Sequence, residues 1–178
     1  HYLSHFDYLD VDSVIQEQKA FGACRDVTLE YPVAENEGEE DNTYLSYNMV
    51  VGNAADSQMA MAFEVLDYAL LSAPGAPLKQ ALLDVKAGKD VYGSYDDGIL
   101  QPYFTVIAKG SNPDRKEEFV SVIRQVLGDI VKNGIDRKAV EAGINYFEFR
   151  YREADFSSYP KGLMYSLDIL GDLSLIHI

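Results

Sequence analysis

Cysteine is nearly absent. Cys24 stands alone among 178 residues, so no internal disulfide can form and a reducing compartment is expected. A thiol nucleophile would need a histidine beside it, and the three histidines lie near the ends, at His1, His5 and His177. Cys24 is therefore predicted to be a buried structural residue. Basic residues are scarce too: 15 lysines and arginines against 29 acids give a net charge of −14. So little cation cannot neutralise nucleic-acid phosphates, and so acidic a surface is repelled by anionic membrane. Basic peptides are compatible partners. No run approaches the roughly 20 apolar residues of a membrane-spanning helix, and the first twenty lack the pattern of a signal peptide. There is no initiating methionine and the chain closes on the apolar "SLIHI", so the sequence reads as a piece of something longer. G-x-G-x-x-G, G-K-[ST] and G-x-S-x-G are all missing, which removes the phosphate-loop and serine-elbow chemistries.

What remains is the composition of one ordinary globular domain, 47% apolar and 25% charged, with 13 glycines and six prolines. Residues 1–22 lack periodicity and read as a linker; 23–178 read as a single domain. Val27, Leu29, Tyr31 and Val33 alternate with polar positions, which predicts a strand. The acidic loop "ENEGEEDN" follows. Leu45, Tyr47, Met49 and Val51 then predict a second strand, placed centrally because its opposite face also carries Tyr44 and Val50.

Asp56 is placed to cap a helix whose stripe is Met59, Phe63, Leu66 and Leu70, running to about Ser72. Pro77 opens a short helix expected to end at Gly88. "DVYGSYDDG" and "ILQPYFTVIAKG" read as strands, the second with Pro102 in an edge or bulge position. Asn112 and Pro113 start a helix with Phe119, Ile123, Val126, Leu127 and Ile130 inward, stopped by Asn133-Gly134. Asp136 caps the next, whose apolar line is Val140, Ile144, Phe147 and Tyr151. A last helix carries Leu163, Leu167 and Leu170. This order predicts an α+β fold, a mostly antiparallel sheet with helices on one face.

Catalytic groups are hard to find. His1 and His5 have the spacing of an inverted H-x-x-E-H zinc motif, but Ser4 occupies the glutamate position and cannot take a proton from bound water. Solvent-facing histidines are the simpler reading. The acidic loop lacks the alternation and closing glutamate of an EF-hand and reads as a solvated hairpin tip. Arg150 and Arg152 near a helix C-terminus suit the macrodipole and surface salt bridges. No catalytic and no metal-ligating residue is assigned.

One stretch is more specific. Pro74-Gly75-Ala76-Pro77-Leu78 with Ala81-Leu82, Ala87-Gly88-Lys89-Asp90, and Tyr103-Phe104 through Gly110 resemble a domain of the pitrilysin/insulinase-type zinc peptidases. The match is to the second, non-catalytic (LuxS/MPP-like) domain, in the presequence-protease-like branch. Arg152, Glu153, Pro160, Gly162 and Leu163 are similar to the family's late helix pair, and "YLSHFDYLD" resembles the link leaving the catalytic domain. The resemblance implies a chamber-wall domain of an enzyme that degrades small unfolded peptides, with zinc held in a preceding domain of the parent enzyme and none here. Its partners would be the catalytic and C-terminal domains of the same polypeptide and unfolded peptide substrates, with no nucleic acid and no membrane. The compartment would be cytoplasm or an organelle matrix. It also implies a substrate-anchoring exosite at Ala73, Pro74 and Gly75 with Tyr92, Gly93 and Ser94; Ala76 stands where the family often has serine. Gly75 and Gly93 as simple turn glycines remain the alternative. So does a structural subunit of the processing-peptidase type, without proteolytic activity, or an unrelated acidic binding module.

Overall fold

The computed structural model describes residues 2–10, 12, 14–34, 38–153 and 158–177. A 3-10 turn at Leu3–His5 precedes β1 (Thr43–Val50), α1 (Ser57–Asp67), a π-helical turn (Tyr68–Ser72) and α2 (Pro77–Asp84). Then come β2 (Asp90–Asp96), β3 (Tyr103–Ser111), a 3-10 turn (Pro113–Arg115), α3 (Lys116–Asn133), α4 (Arg137–Glu153) and α5 (Lys161–His177). The fold is α+β: a three-stranded antiparallel sheet, ordered β1-β3-β2, with helices on one face.

Pairing sets which side chains meet the helices. Leu45, Tyr47 and Met49 of β1, Val91 and Tyr95 of β2, and Phe104, Val106 and Ala108 of β3 alternate toward them. Leu78 and Leu82 of α2, Phe119 and Ile123 of α3, and Leu70 and Leu71 complete the core. Phe119 is 1% exposed, so its truncation to alanine would cost about 3–5 kcal/mol. The opposite face carries Tyr44, Ser46 and Asn48, then Tyr103, Thr105, Ile107 and Lys109, then Tyr92 and Ser94.

Local start and stop signals work largely as read. Asp56 accepts the Met59 amide at 3.0 Å, Pro77 opens α2, and Asp136 accepts the Lys138 amide at 2.9 Å. Gly134 closes α3 at φ 83°.

Several expectations are corrected. Val27–Val33 form no strand: Val27 and Leu29 are 72% and 84% exposed, because the stretch finds no strand partner. The segment from Gln18 to Tyr31 is anchored instead through side chains. Tyr31 donates to the Asn42 carbonyl and packs edge-on against Tyr44, Asp26 pairs with Lys116, and the Gln101 amide exchanges two bonds with the Gln18 backbone. β3, not β1, is central, and Pro102 precedes it without interrupting the ladder, its carbonyl accepting from Val51 at 2.8 Å.

Cys24 is exposed, not buried. Asn112 caps nothing with its side chain, which exchanges two hydrogen bonds with Asp41 at 2.9 and 2.8 Å. α2 ends at Asp84, four residues before Gly88, with Lys86 taking the positive φ of the exit. On α4 the inward line is rotated to Gly143 and Phe147, and Ile144 is half exposed. Gly143 sets that rotation, since it lets α4 approach Val65 and Tyr68 closely.

Candidate functional site

The six residues singled out by sequence fall on two segments separated along the chain by α2. The first is a tight turn. Ala73 closes the π-helical turn, its amide reaching the Tyr68 carbonyl at 2.7 Å, a bond five residues long. The Ala76 amide then bonds the Ala73 carbonyl at 3.0 Å around Pro74 and Gly75. Proline second and Gly75 third at φ 73° make this a type II turn, so that glycine is required by backbone conformation. Pro74 and Gly75 are exposed, and no heavy atom lies within 4 Å of a Cβ built at Gly75. Ala76 is buried at the head of α2, which has no side-chain cap.

The second segment is the middle of β2, an edge strand that pairs with β3 on one side. Tyr92, 37% exposed, and Ser94 point away from the helices, beside Ile107 and Thr105 respectively. Gly93 points inward. A Cβ there would lie 2.2 Å from Asp67 Oδ1 and 2.3 Å from Leu71 Cδ1. The space a side chain would need is already filled by the last turn of α1 and the π-helical turn. Gly93 is thus a packing glycine, while Tyr92 and Ser94 are the residues of this trio presented outward.

Asp67 is the residue that sequence reasoning passed over. Its Oδ1 is buried without a hydrogen-bond partner, and its Oδ2 is 3.4 Å from the Ser72 hydroxyl. Burial pushes its carboxyl above the usual carboxylate range, against the smaller opposing pull of the Ser72 hydroxyl. The signal was legible: Phe63, Asp67 and Leu71 recur at i, i+4, i+8, so an acid sits in a row of core residues. Phe63 stacks on Tyr95 with ring centroids 5.6 Å apart, which fixes that row beneath β2.

At the opposite end of the sheet, Asp41, Asn112 and Lys89 meet. The Asn112 amide, then the Lys89 ammonium 3.3 Å away, hold the Asp41 carboxyl below its usual value. Beside them a cavity of about 570 Å³ is lined by Tyr31, Tyr44, Lys109 and Asp90 among others. The Lys109 ammonium stands 5.8 Å over the Tyr44 ring, and Asp90 pairs with Lys79 at 3.3 Å.

His5 is exposed in its 3-10 turn, and His1 lies outside the described residues. Among the described residues no three histidine, cysteine, aspartate or glutamate side chains gather in a way that could hold a metal ion. No described helix is long and apolar enough to cross a membrane. An arrangement of this kind can bind: β2 offers an edge strand with an aromatic and a hydroxyl on its open face, and Pro74-Gly75 form an exposed turn.

Comparison with known proteins bears on the family and the fold. Residues 2–147 match the profile of the peptidase M16 inactive domain. HypA of Clostridium perfringens is 43% identical over 169 residues, covering 95% of this chain and 17% of that protein. Presequence protease 1, chloroplastic/mitochondrial, of Arabidopsis thaliana is 29% identical over 88% of the chain and 16% of its own length. The chain therefore spans about a sixth of the length of these curated relatives. Among solved structures, the inactive peptidase domain of a Bordetella parapertussis protein described as a zinc protease superposes with a TM-score of 0.59 at 12% identity. That superposition covers 75% of this chain and 78% of the other, and it speaks to the fold.

Proposed function

This chain belongs to the peptidase M16 inactive-domain family, whose profile spans most of it, and from that premise we propose that it is the non-catalytic chamber-wall domain of a zinc metalloendopeptidase. The parent enzyme would degrade small unstructured peptides. Zinc would belong to a catalytic domain elsewhere in that polypeptide. The observation that carries the reading is the similarity to a presequence protease along 88% of the chain.

The geometry supports a share in substrate anchoring. An extended peptide laid along β2 would meet Tyr92 and Ser94 on one side and the Ala73–Gly75 turn at its end, with main-chain bonds supplied by the strand edge. Gly93 contributes by keeping that edge seated on Asp67 and Leu71. Linker function for 1–22, a domain over 23–178 and a reducing compartment, cytoplasm or organelle matrix, complete the reading.

The test uses the full gene product. Elemental analysis should find zinc in it, and none retained by the 178-residue chain after dialysis; stoichiometric zinc in the latter would contradict the assignment. Tyr92→Ala should raise KM for peptides at least fivefold, about 1 kcal/mol, with kcat within twofold. Unchanged KM in both Tyr92→Ala and Ser94→Ala would retire the anchoring role. A gene product without zinc or hydrolysis would instead favour the structural-subunit alternative.

A further inference from the structure

We propose that the cavity beside Asp41 and Lys89 is a second binding site, separate from the β2 edge, that takes the carboxylate end of a peptide through Lys109. Its volume of about 570 Å³ falls within the range of clefts that hold small ligands. Its walls are residues 31–34, the starts of β1 and β2, and the end of β3.

Charge decides what fits. Four charged side chains line the space: Asp41, Lys89, Asp90 and Lys109. Asp41 is taken by Lys89 at 3.3 Å and by the Asn112 amide at 2.8 Å, and Asp90 by Lys79 of α2 at 3.3 Å. Both carboxylates are thus answered, so a cation finds no free ligand. Lys109 forms no ion pair among the described residues. Its ammonium stands 5.8 Å over the Tyr44 ring, a contact that leaves its N–H donors open to an anion. Lys89 is held beside it: its amide bonds the Lys109 carbonyl at 2.8 Å, and its stem lies where a side chain at Gly110 would go, within 3.0 Å of a Cβ built there. One ammonium is uncommitted and the other is shared with Asp41, which suits a single negative charge better than a phosphate dianion.

Two features select a peptide. Tyr31 meets Tyr44 edge-on with ring centroids 5.9 Å apart, and the Tyr31 hydroxyl is fixed on the Asn42 carbonyl, so the rings form a preset wall for an apolar side chain. Val33 and Ala34, also in the lining, make no main-chain hydrogen bond among the described residues, which leaves their backbone groups to pair with a ligand's amide. A terminal carboxylate on an apolar residue, with a peptide group behind it, engages ammonium, rings and backbone together.

Amide NMR titration of the 178-residue chain tests this, with N-acetyl-alanyl-phenylalanine as the free acid and as its C-terminal amide. The acid should shift the Lys89, Lys109 and Gly110 amides with a Kd below about 10 mM, and the amide should bind about fivefold more weakly or worse. Lys109→Gln should weaken the acid by the same factor, Lys109→Arg should restore it, and Lys132→Gln on α3 should leave it unchanged. Lys109 and Lys132 are both exposed, so these variants fold. No shift at about 10 mM, equal binding of acid and amide, or full binding by Lys109→Gln would overturn the proposal. So would N-acetyl-glutamyl-phenylalaninamide matching the free acid, which gives the cavity to acidic side chains, or inorganic phosphate matching it, which makes it a general anion site. These readouts need neither zinc nor hydrolysis, so the proposal stands or falls apart from the peptidase reading.

Discussion

Gly93→Ala separates packing from ordinary strand preference. Alanine in place of a strand glycine normally gains about 0.5–1 kcal/mol through reduced freedom of the unfolded chain. Here the new Cβ would stand 2.2 Å from Asp67 Oδ1 and 2.3 Å from Leu71 Cδ1. Both atoms end flexible side chains, yet Leu71 is 1% exposed and has little room to turn. Overfilling a packed site costs about 1–3 kcal/mol, so the net loss is roughly 1–2 kcal/mol. In a domain of this size that lowers Tm by about 2–8 °C. Urea denaturation should show the same loss as a lower midpoint with an unchanged slope. Asp67→Ala in the same chain removes one of the two obstacles, and the double variant should recover part of the loss, a coupling read from the four-member cycle. Gly75→Ala provides the contrast, because its cost of about 1 kcal/mol comes from φ 73° with open space around it. A raised Tm for Gly93→Ala, or no coupling to Asp67, would refute the close-packing argument.

Two further substitutions probe neighbouring features. Asp67 has its folded-state pKa raised by burial, so the native state binds more protons than the unfolded one and stability falls as pH rises above the ordinary value of 3.8. Asp67→Asn carries no such charge; its Tm relative to the unsubstituted chain should therefore increase as pH rises from the ordinary value of 3.8 through the raised folded-state pKa and then level off, and a constant difference would show the carboxyl to be unperturbed. Ala76 heads α2 with no side-chain cap, so Ala76→Ser should accept an amide of the first turn and add about 0.5–1 kcal/mol, seen as a Tm about 1–4 °C higher. An unchanged or lower midpoint would mean that burying the hydroxyl outweighs the cap.

Helices were legible because their signals are local. Asp56, Pro77, Asp136 and Gly134 each act within one turn of their own position, and the stripe of α3 needs only its own period. Strands depend on a partner, and there the sequence misled twice. Val27–Val33 have the alternation of a strand but remain exposed, because alternation fits a chain for an edge without supplying the edge. The two-faced apolar character of β1 argues for the centre of the sheet, whereas the run Thr105-Val106-Ile107-Ala108 in β3 is the better signal, as central strands read nearly continuously apolar. Asn112 illustrates a competition between local and distant partners: a sound cap residue was drawn off by Asp41, 71 positions away.

The candidate site shows the same division at finer grain. Gly75 could be read from its turn, since proline followed by glycine dictates the conformation. Gly93 could not, because what it accommodates lies 22 and 26 residues earlier, at Leu71 and Asp67. Yet Phe63, Asp67 and Leu71 form a helical row, and Tyr95 and Gly93 are successive inward positions of β2 laid over it. The large pair stacks, and the glycine admits the carboxyl. Shifting β2 by one residue would drive Tyr92 onto Asp67 and Leu71 and turn Gly93 outward, so the register is locked by the smallest residue in the strand. That lock is also what keeps Tyr92 and Ser94 on the open face. The residue least suited to touch a peptide is therefore the one that decides which residues can.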